Sequence, residues 1–309
     1  MSERGFDRLL VVDWSAAAVP RRGADSIWIA DLDASAERVE TANPPTRREA
    51  EDRLAATLGA ALDRGERVLA CFDFPFGYPR GSAAALAGGD WRAVWARLAD
   101  GLTEGEANAN DRFAFAARLN AAFGSAPGPF WGCPAHLASA DLGPKKPSGY
   151  GRTLPPERRL VEERVRRAQP CWKLAYTGSV GSQALTGIAA LERLRRRPAL
   201  AGRVVVWPFE TGLRAPAGPR AALAEIYPSL IEDVRVRKAA GALGVVKDEA
   251  QVRLLATALA RLDAAGRLDA LFAGPIEPLD ADHRAVVEKE EAWVLGAGHE
   301  AALNAVLDS

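Results

Sequence analysis

Histidine and cysteine are scarce in this sequence: three of each, with a single methionine, among 309 residues. Cys71, Cys133 and Cys171 lie far apart and make no C-x-x-C pair, which argues against a disulfide framework. An odd cysteine count suits a reducing compartment. His136, His283 and His299 have no metal-ligand spacing to a partner, so surface roles are expected for them. An excess of one charge is also missing, because 40 basic residues balance 40 acidic ones. No net field then draws the chain to nucleic acid or membrane, and any such contact needs a local patch. No apolar run approaches the ~20 residues of a membrane span. Met1 to Arg8 carries both signs of charge and no signal-peptide core. A cytoplasmic protein without a membrane partner is expected. Internal repeats and low-complexity tracts are absent too.

What is present is a composition that buries a core: 48% hydrophobic and 26% charged residues. Leu9 to Val12 is a continuous apolar run suited to a strand buried on both faces. Ser26 to Ala30 reads as a second strand and Glu37 to Thr41 as a weaker third, with turn residues between them. Pro45-Thr46 opens a helix through Leu62. Its Leu54, Leu58 and Leu62 share a face, and Thr46 with Glu49 fits a capping box. Arg67 to Phe72 is the next buried strand. Three strands, a helix and a further strand form the opening order of the RNase H-like fold.

From about 80 to 200 the pattern is less regular. Trp91 and Trp95 suggest a packed helix face, Ala126 to Thr153 a long ordered loop, and Pro155 to Ala168 a strongly charged helix. Regularity returns with strands at Arg203 to Trp207 and Ala224 to Pro228. A helix then opens at Lys247, striped by Val252, Leu255, Leu259 and Leu262. Ala292 to Gly296 reads as a terminal strand or a flap. The expected architecture is therefore α/β, an RNase H-like mixed sheet with flanking helices and a large helical and loop insert, in a single domain over 1–309.

Four carboxylates share a context. Asp13 and Asp73 each follow a buried strand, Glu225 begins another, and Asp248 sits in the first turn of a helix. Open α/β sheets place ligands at strand ends and helix starts. Carboxylates converging there repel one another unless a cation joins them, and Mg²⁺ or Mn²⁺ prefers such oxygen ligands. Two such ions about 4 Å apart would activate a water and stabilise a leaving oxygen of a phosphodiester. Singly, Asp13 or Asp73 is an ordinary turn former, Asp248 an ordinary helix-dipole partner, and Glu225 an ordinary strand-edge charge.

Taken with Val12-Asp13-Trp14-Ser15-Ala16, five segments complete a pattern: Phe72-Asp73-Phe74-Pro75-Phe76-Gly77, Gly178-Ser179-Val180-Gly181-Ser182-Gln183, Glu225-Ile226-Tyr227-Pro228-Ser229, Lys247-Asp248 with its helix, and Glu290 to Gly296. In this order they resemble domain of unknown function family 429, a family of predicted RNase H-like nucleases. The resemblance implies a metal-dependent site with Asp13 as central ligand and Asp73, Glu225 and Asp248 as partners. Where that family commonly has a second Asp one turn into the last helix, this chain has Gln251.

Around these carboxylates, Ser15, Lys173, Ser179, Ser182, Gln183 and Lys247 are candidates for contacting a phosphate or other substrate anion. The run at 178–183 exposes backbone N–H groups and leads toward a helix near Leu185, although no Gly-Lys-Ser/Thr follows as in a Walker loop. Asp73 to Pro79 reads as a rigid turn in which Gly77 permits a close backbone approach. Arg158, Arg159, Arg164, Arg166 and Arg167 mix with Glu157, Glu162 and Glu163, as on a solvated, salt-bridged helix. The expected function is a metal-dependent phosphodiester hydrolase acting on nucleic acid or a phosphorylated small molecule. The alternatives are a non-catalytic ligand- or partner-binding protein on the same fold, and an ATP-binding phosphotransferase of the sugar-kinase and actin type.

Overall fold

The structure is a computed structural model that describes residues 5–35, 38–124, 126–165, 168–218 and 220–308. Its strands are β1 (Arg8–Asp13), β2 (Trp28–Asp33), β3 (Arg38–Ala42), β4 (Val68–Phe72), β5 (Val204–Val206) and β6 (Ala221–Glu225). The first helix, α1 (Arg47–Asp63), separates β3 from β4. The segment from β4 to β5 carries α2 (Ser82–Ala87), α3 (Trp91–Gly101), α4 (Arg112–Ala121), α5 (Leu160–Arg164) and α6 (Gly181–Arg196). After β6 come α7 (Asp233–Leu243), α8 (Lys247–Ala264), α9 (Asp269–Phe272), α10 (Ala281–Val286), a π-turn at Val287–Glu291 and α11 (Glu300–Ala305).

The strands form one mixed sheet in the order β3-β2-β1-β4-β6-β5. Neighbours β1, β2 and β3 run antiparallel as a meander, while β1, β4, β6 and β5 run parallel. The continuous apolar runs follow from burial on both faces. Leu10, Val12, Ala70, Phe72 and Leu223 pack into a core with the buried faces of α1, α3 and α6. Leu9, Val11, Leu69, Cys71 and Ala222 pack on the other face against Val252, Leu255, Leu259 and Leu262 of α8. At the open edge, β3 carries Arg38 and Glu40, paired at 2.9 Å; charge there discourages edge-to-edge pairing with another sheet.

The α1 cap is as expected, with Thr46 Oγ1 accepting from the Glu49 N–H. Other elements differ from expectation. Glu225 ends β6 rather than beginning it, and the extended chain beyond it stops at Pro228. The Ala292–Gly296 segment adds only an isolated parallel bridge, Val294 with Glu225, and buries Trp293. The charged helix at 155–168 shrinks to α5, because Arg159 is held extended at φ −74°, ψ 159°. Arg166, Arg167 and Glu37 lie outside the described residues.

The reason for the Arg159 conformation is electrostatic. Its guanidinium is buried and grips both oxygens of Glu225, Nη2 to Oε1 at 2.6 Å and Nη1 to Oε2 at 2.8 Å. Nε donates to Glu162 Oε1 at 2.7 Å, and Nη1 also donates to the Glu291 carbonyl at 2.9 Å. One cation thus joins the segment after β4, the end of β6 and the π-turn. Glu162 is pushed up to about 6 by burial, against the pull of Arg159. Removing one partner of such a pair strands a buried charge, at a cost of about 3–5 kcal/mol. Arg159→Met is therefore expected to lower the urea midpoint sharply, and Arg159→Met with Glu225→Met to recover much of the loss. Equal stability of Arg159→Met and wild type would remove this network from the fold's support.

Candidate functional site

Strand β1 turns toward β2 and β3 on one side of the sheet, while β4 lies on its other side, so the chain directions diverge where β1 and β4 meet. Crevices beyond the carboxyl ends of such strands are natural ligand sites. Asp13 is the last residue of β1 and Asp73 the first after β4. Their register follows from Val12 pairing with Phe72, and the Asp73 N–H donates to the Val12 carbonyl at 3.2 Å. Here the chain opens into a cleft of about 620 Å³.

Asp13 and Asp73 are close enough to share a proton. Burial raises Asp13 well above the carboxylate range, and the charges of Asp73, Asp248 and Asp25 raise it further. Asp73 is pushed up to about 7, again chiefly by burial, although the Trp14 N–H donates to its Oδ1 at 2.7 Å and opposes the rise. Asp248, in the first turn of α8, accepts from the Asp25 N–H at 2.7 Å. Three of the four expected carboxylates therefore lie within electrostatic reach of one another, with Asp25, which carries no local signal in the sequence, beside Asp13. The fourth does not. Glu225 is held by Arg159 and also accepts from the Phe76 N–H at 2.9 Å, which leaves its oxygens committed.

The anion-binding candidates divide in the same way. Ser15, Ser179, Ser182 and Gln183 line the cleft. Gln183 Nε2 donates to the Trp14 carbonyl at 2.6 Å, tying the start of α6 to the loop after β1. Lys173 donates to the Thr177 carbonyl at 2.6 Å and lies over the Trp131 ring. Lys247 pairs with Asp233 at 2.8 Å and lines a separate groove of about 770 Å³, together with Gln251. That groove is the larger of the two, but the acidic group is not part of its lining. Gln251 thus faces a different recess from Asp13, so the departure at this position falls outside the acidic cleft.

Two further arginines bear on the cleft, one from behind its loop and one from its lining. Arg47 is fully buried and donates to the carbonyls of Ser15 at 3.0 Å, Ala17 at 2.7 Å and Asn108 at 2.7 Å, bracing the loop after β1. Arg112 lines the cleft itself; burial, with the charge of Arg47 nearby, pulls it down to about 10. Neither was legible in sequence, since each meets its partners only through long-range packing.

No family model, no curated protein and no solved structure matches this chain. The site must be read from its own chemistry. Oxygen donors from three aspartates, two of them competing for one proton, suit a hard divalent cation. Among the described residues no three His, Cys, Asp or Glu side chains already stand in a metal-binding group. Asp13, Asp73 and Asp248 are the residues that would hold such an ion.

The proton bookkeeping has a measurable consequence. Folded Asp73 keeps its proton up to about pH 7, whereas an unfolded aspartate loses its own near pH ~3.9. Between these values the folded chain binds more protons than the unfolded one, so stability falls as pH rises. Asp13→Asn relieves the repulsion and is expected to raise Tm at pH 7.5 in chelator, by about 2–4 °C for each kcal/mol gained. The advantage should shrink toward pH 5. A gain that is the same at both pH values would mean that Asp13 and Asp73 do not share a proton.

Proposed function

We propose that this chain is a metal-dependent phosphodiester hydrolase of RNase H-like fold, with Asp13, Asp73 and Asp248 holding Mg²⁺ or Mn²⁺. The observation that carries the reading is the crowding of three aspartates at the ends of adjacent parallel strands and the start of α8. The β1-β2-β3 meander followed by a parallel β4, with the strand order 3-2-1-4, supports the fold assignment. A bound divalent ion would supply a water made nucleophilic near neutral pH and would offset charge on the reacting phosphate. The protein's part is to fix the carboxylates: Asp73 through the Trp14 N–H, Asp248 through its helix, and Asp13 through the β1 register.

The phosphotransferase reading needs a second, duplicated sheet with its own phosphate loop, and the described residues contain one sheet. A ligand-binding protein without catalysis is the outcome the test below distinguishes.

Calorimetric titration with Mn²⁺ is expected to show binding by wild type and at least a tenfold weakening in Asp13→Asn, with Mn²⁺-dependent cleavage of DNA or RNA lost in the same variant. Equal binding by both proteins removes Asp13 from the metal site. Binding without cleavage of DNA, RNA or phosphodiester esters leaves a non-catalytic receptor.

A further inference from the structure

The lining of the cleft includes two groups that the acidic site does not use. Arg112 lines the cleft, and among the described residues no carboxylate lies within ion-pair reach of it. Its Nε donates to Ser182 Oγ at 3.0 Å, its Nη1 to Asn110 Oδ1 at 2.9 Å, and its guanidinium lies 4.5 Å from the Phe113 ring centroid. Nη2 has no hydrogen-bond partner among the described residues. The guanidinium is therefore aimed by neutral groups and keeps an unneutralised charge. Most other arginines near the cleft are committed: Arg21 to Asp25 at 3.3 Å, and Arg47 to Glu104 and loop carbonyls.

The second group is Tyr176. It lines the same cleft, yet is 61% exposed, and its hydroxyl reaches only the Cys133 carbonyl at 3.4 Å. Its backbone sits at φ +73°, a conformation costly for a residue with a β-carbon. An aromatic ring left in water by a strained backbone has a face free for stacking.

Building on the hydrolase reading, we propose that Arg112 and Tyr176 form a subsite for an unpaired nucleotide of a single-stranded polynucleotide. Arg112 binds the phosphate and Tyr176 stacks the base, which leads the strand toward Asp13. A half-buried guanidinium anchored by Ser182 is reached by a flexible strand entering the cleft. A rigid duplex presents its phosphates on a convex surface, and its bases are already stacked on one another. Stacking on a ring discriminates little among bases, so broad sequence tolerance is expected.

The test is fluorescence anisotropy of wild type with labelled dT12, rU12 and a duplex of equal length, in Ca²⁺ to limit turnover. Wild type is expected to bind either single strand at least tenfold tighter than the duplex. Tyr176→Ala should weaken single-strand binding about tenfold, in the range for one lost base stack, and Tyr176→Phe should restore it to within twofold. Arg112→Ala should weaken binding and reduce its salt dependence by about one phosphate contact, with Arg112→Lys recovering part of it; circular dichroism checks that each variant folds. Duplex bound as tightly as single strand, no oligonucleotide bound, or wild-type affinity in Tyr176→Ala overturns the subsite. Binding and cleavage measured together separate the two ideas. Single-strand binding with no cleavage by wild type sinks the hydrolase and keeps the subsite, whereas cleavage with wild-type affinity in Tyr176→Ala does the reverse.

Discussion

The structure depends on one buried cation. Arg159 neutralises Glu225, shares Glu162 and holds the Glu291 carbonyl, and these partners come from three distant parts of the chain. What it holds then holds the loop after β4. Glu291 accepts from the N–H groups of Arg80 at 2.8 Å and Leu160 at 2.6 Å, and Glu290 accepts from Gly81 and Ala83. Gly77 packs so closely on Glu290 that a β-carbon would meet its carbonyl oxygen. Asp73 stands at the head of this loop, so its position rests on contacts made far from the cleft.

Three adjacent parallel strands end at or next to a carboxylate: Asp13 after β1, Asp73 after β4 and Glu225 on β6. Chemically alike, they have opposite fates. A built-in guanidinium cancels Glu225, and bidentate geometry makes that cancellation rigid. Asp13 and Asp73 receive no such partner, and burial pushes both toward the protonated form in its place. One end of the row is fixed as architecture. The other stays electrostatically unsatisfied, as sites that recruit ions or protons commonly are.

Much of the scaffold was legible because its signals are local. Continuous apolar runs marked β1 and β4, spacing marked the faces of α1 and α8, and Thr46 with Glu49 marked a cap. Gly77 was legible as a point of close approach because glycine between prolines has few other uses. Asp13, Asp73 and Asp248 could be grouped from their element ends alone. Glu225 misled because a strand-end carboxylate looks the same whether or not an arginine 66 residues away covers it. Arg159 itself was hidden in a charged stretch that reads as a surface helix. Lys173 and Lys247 are absent from the cleft lining, and each ammonium rests on an acceptor nearby, Thr177 and Asp233. Asp25, Arg47 and Arg112 carry no local pattern at all.

The close packing of Gly77 on Glu290 also bears on the order in which the molecule can be made. β1 and β4 are synthesised early, but the groups that seat the Asp73 loop and supply Asp248 come from the last part of the sequence. Contacts of such long range form late, because loop closure must precede them. A partly synthesised chain can thus own its central sheet strands and still lack a finished acidic pocket. The acidic pocket is completed only once the segments carrying Asp248 and Glu290 have been made.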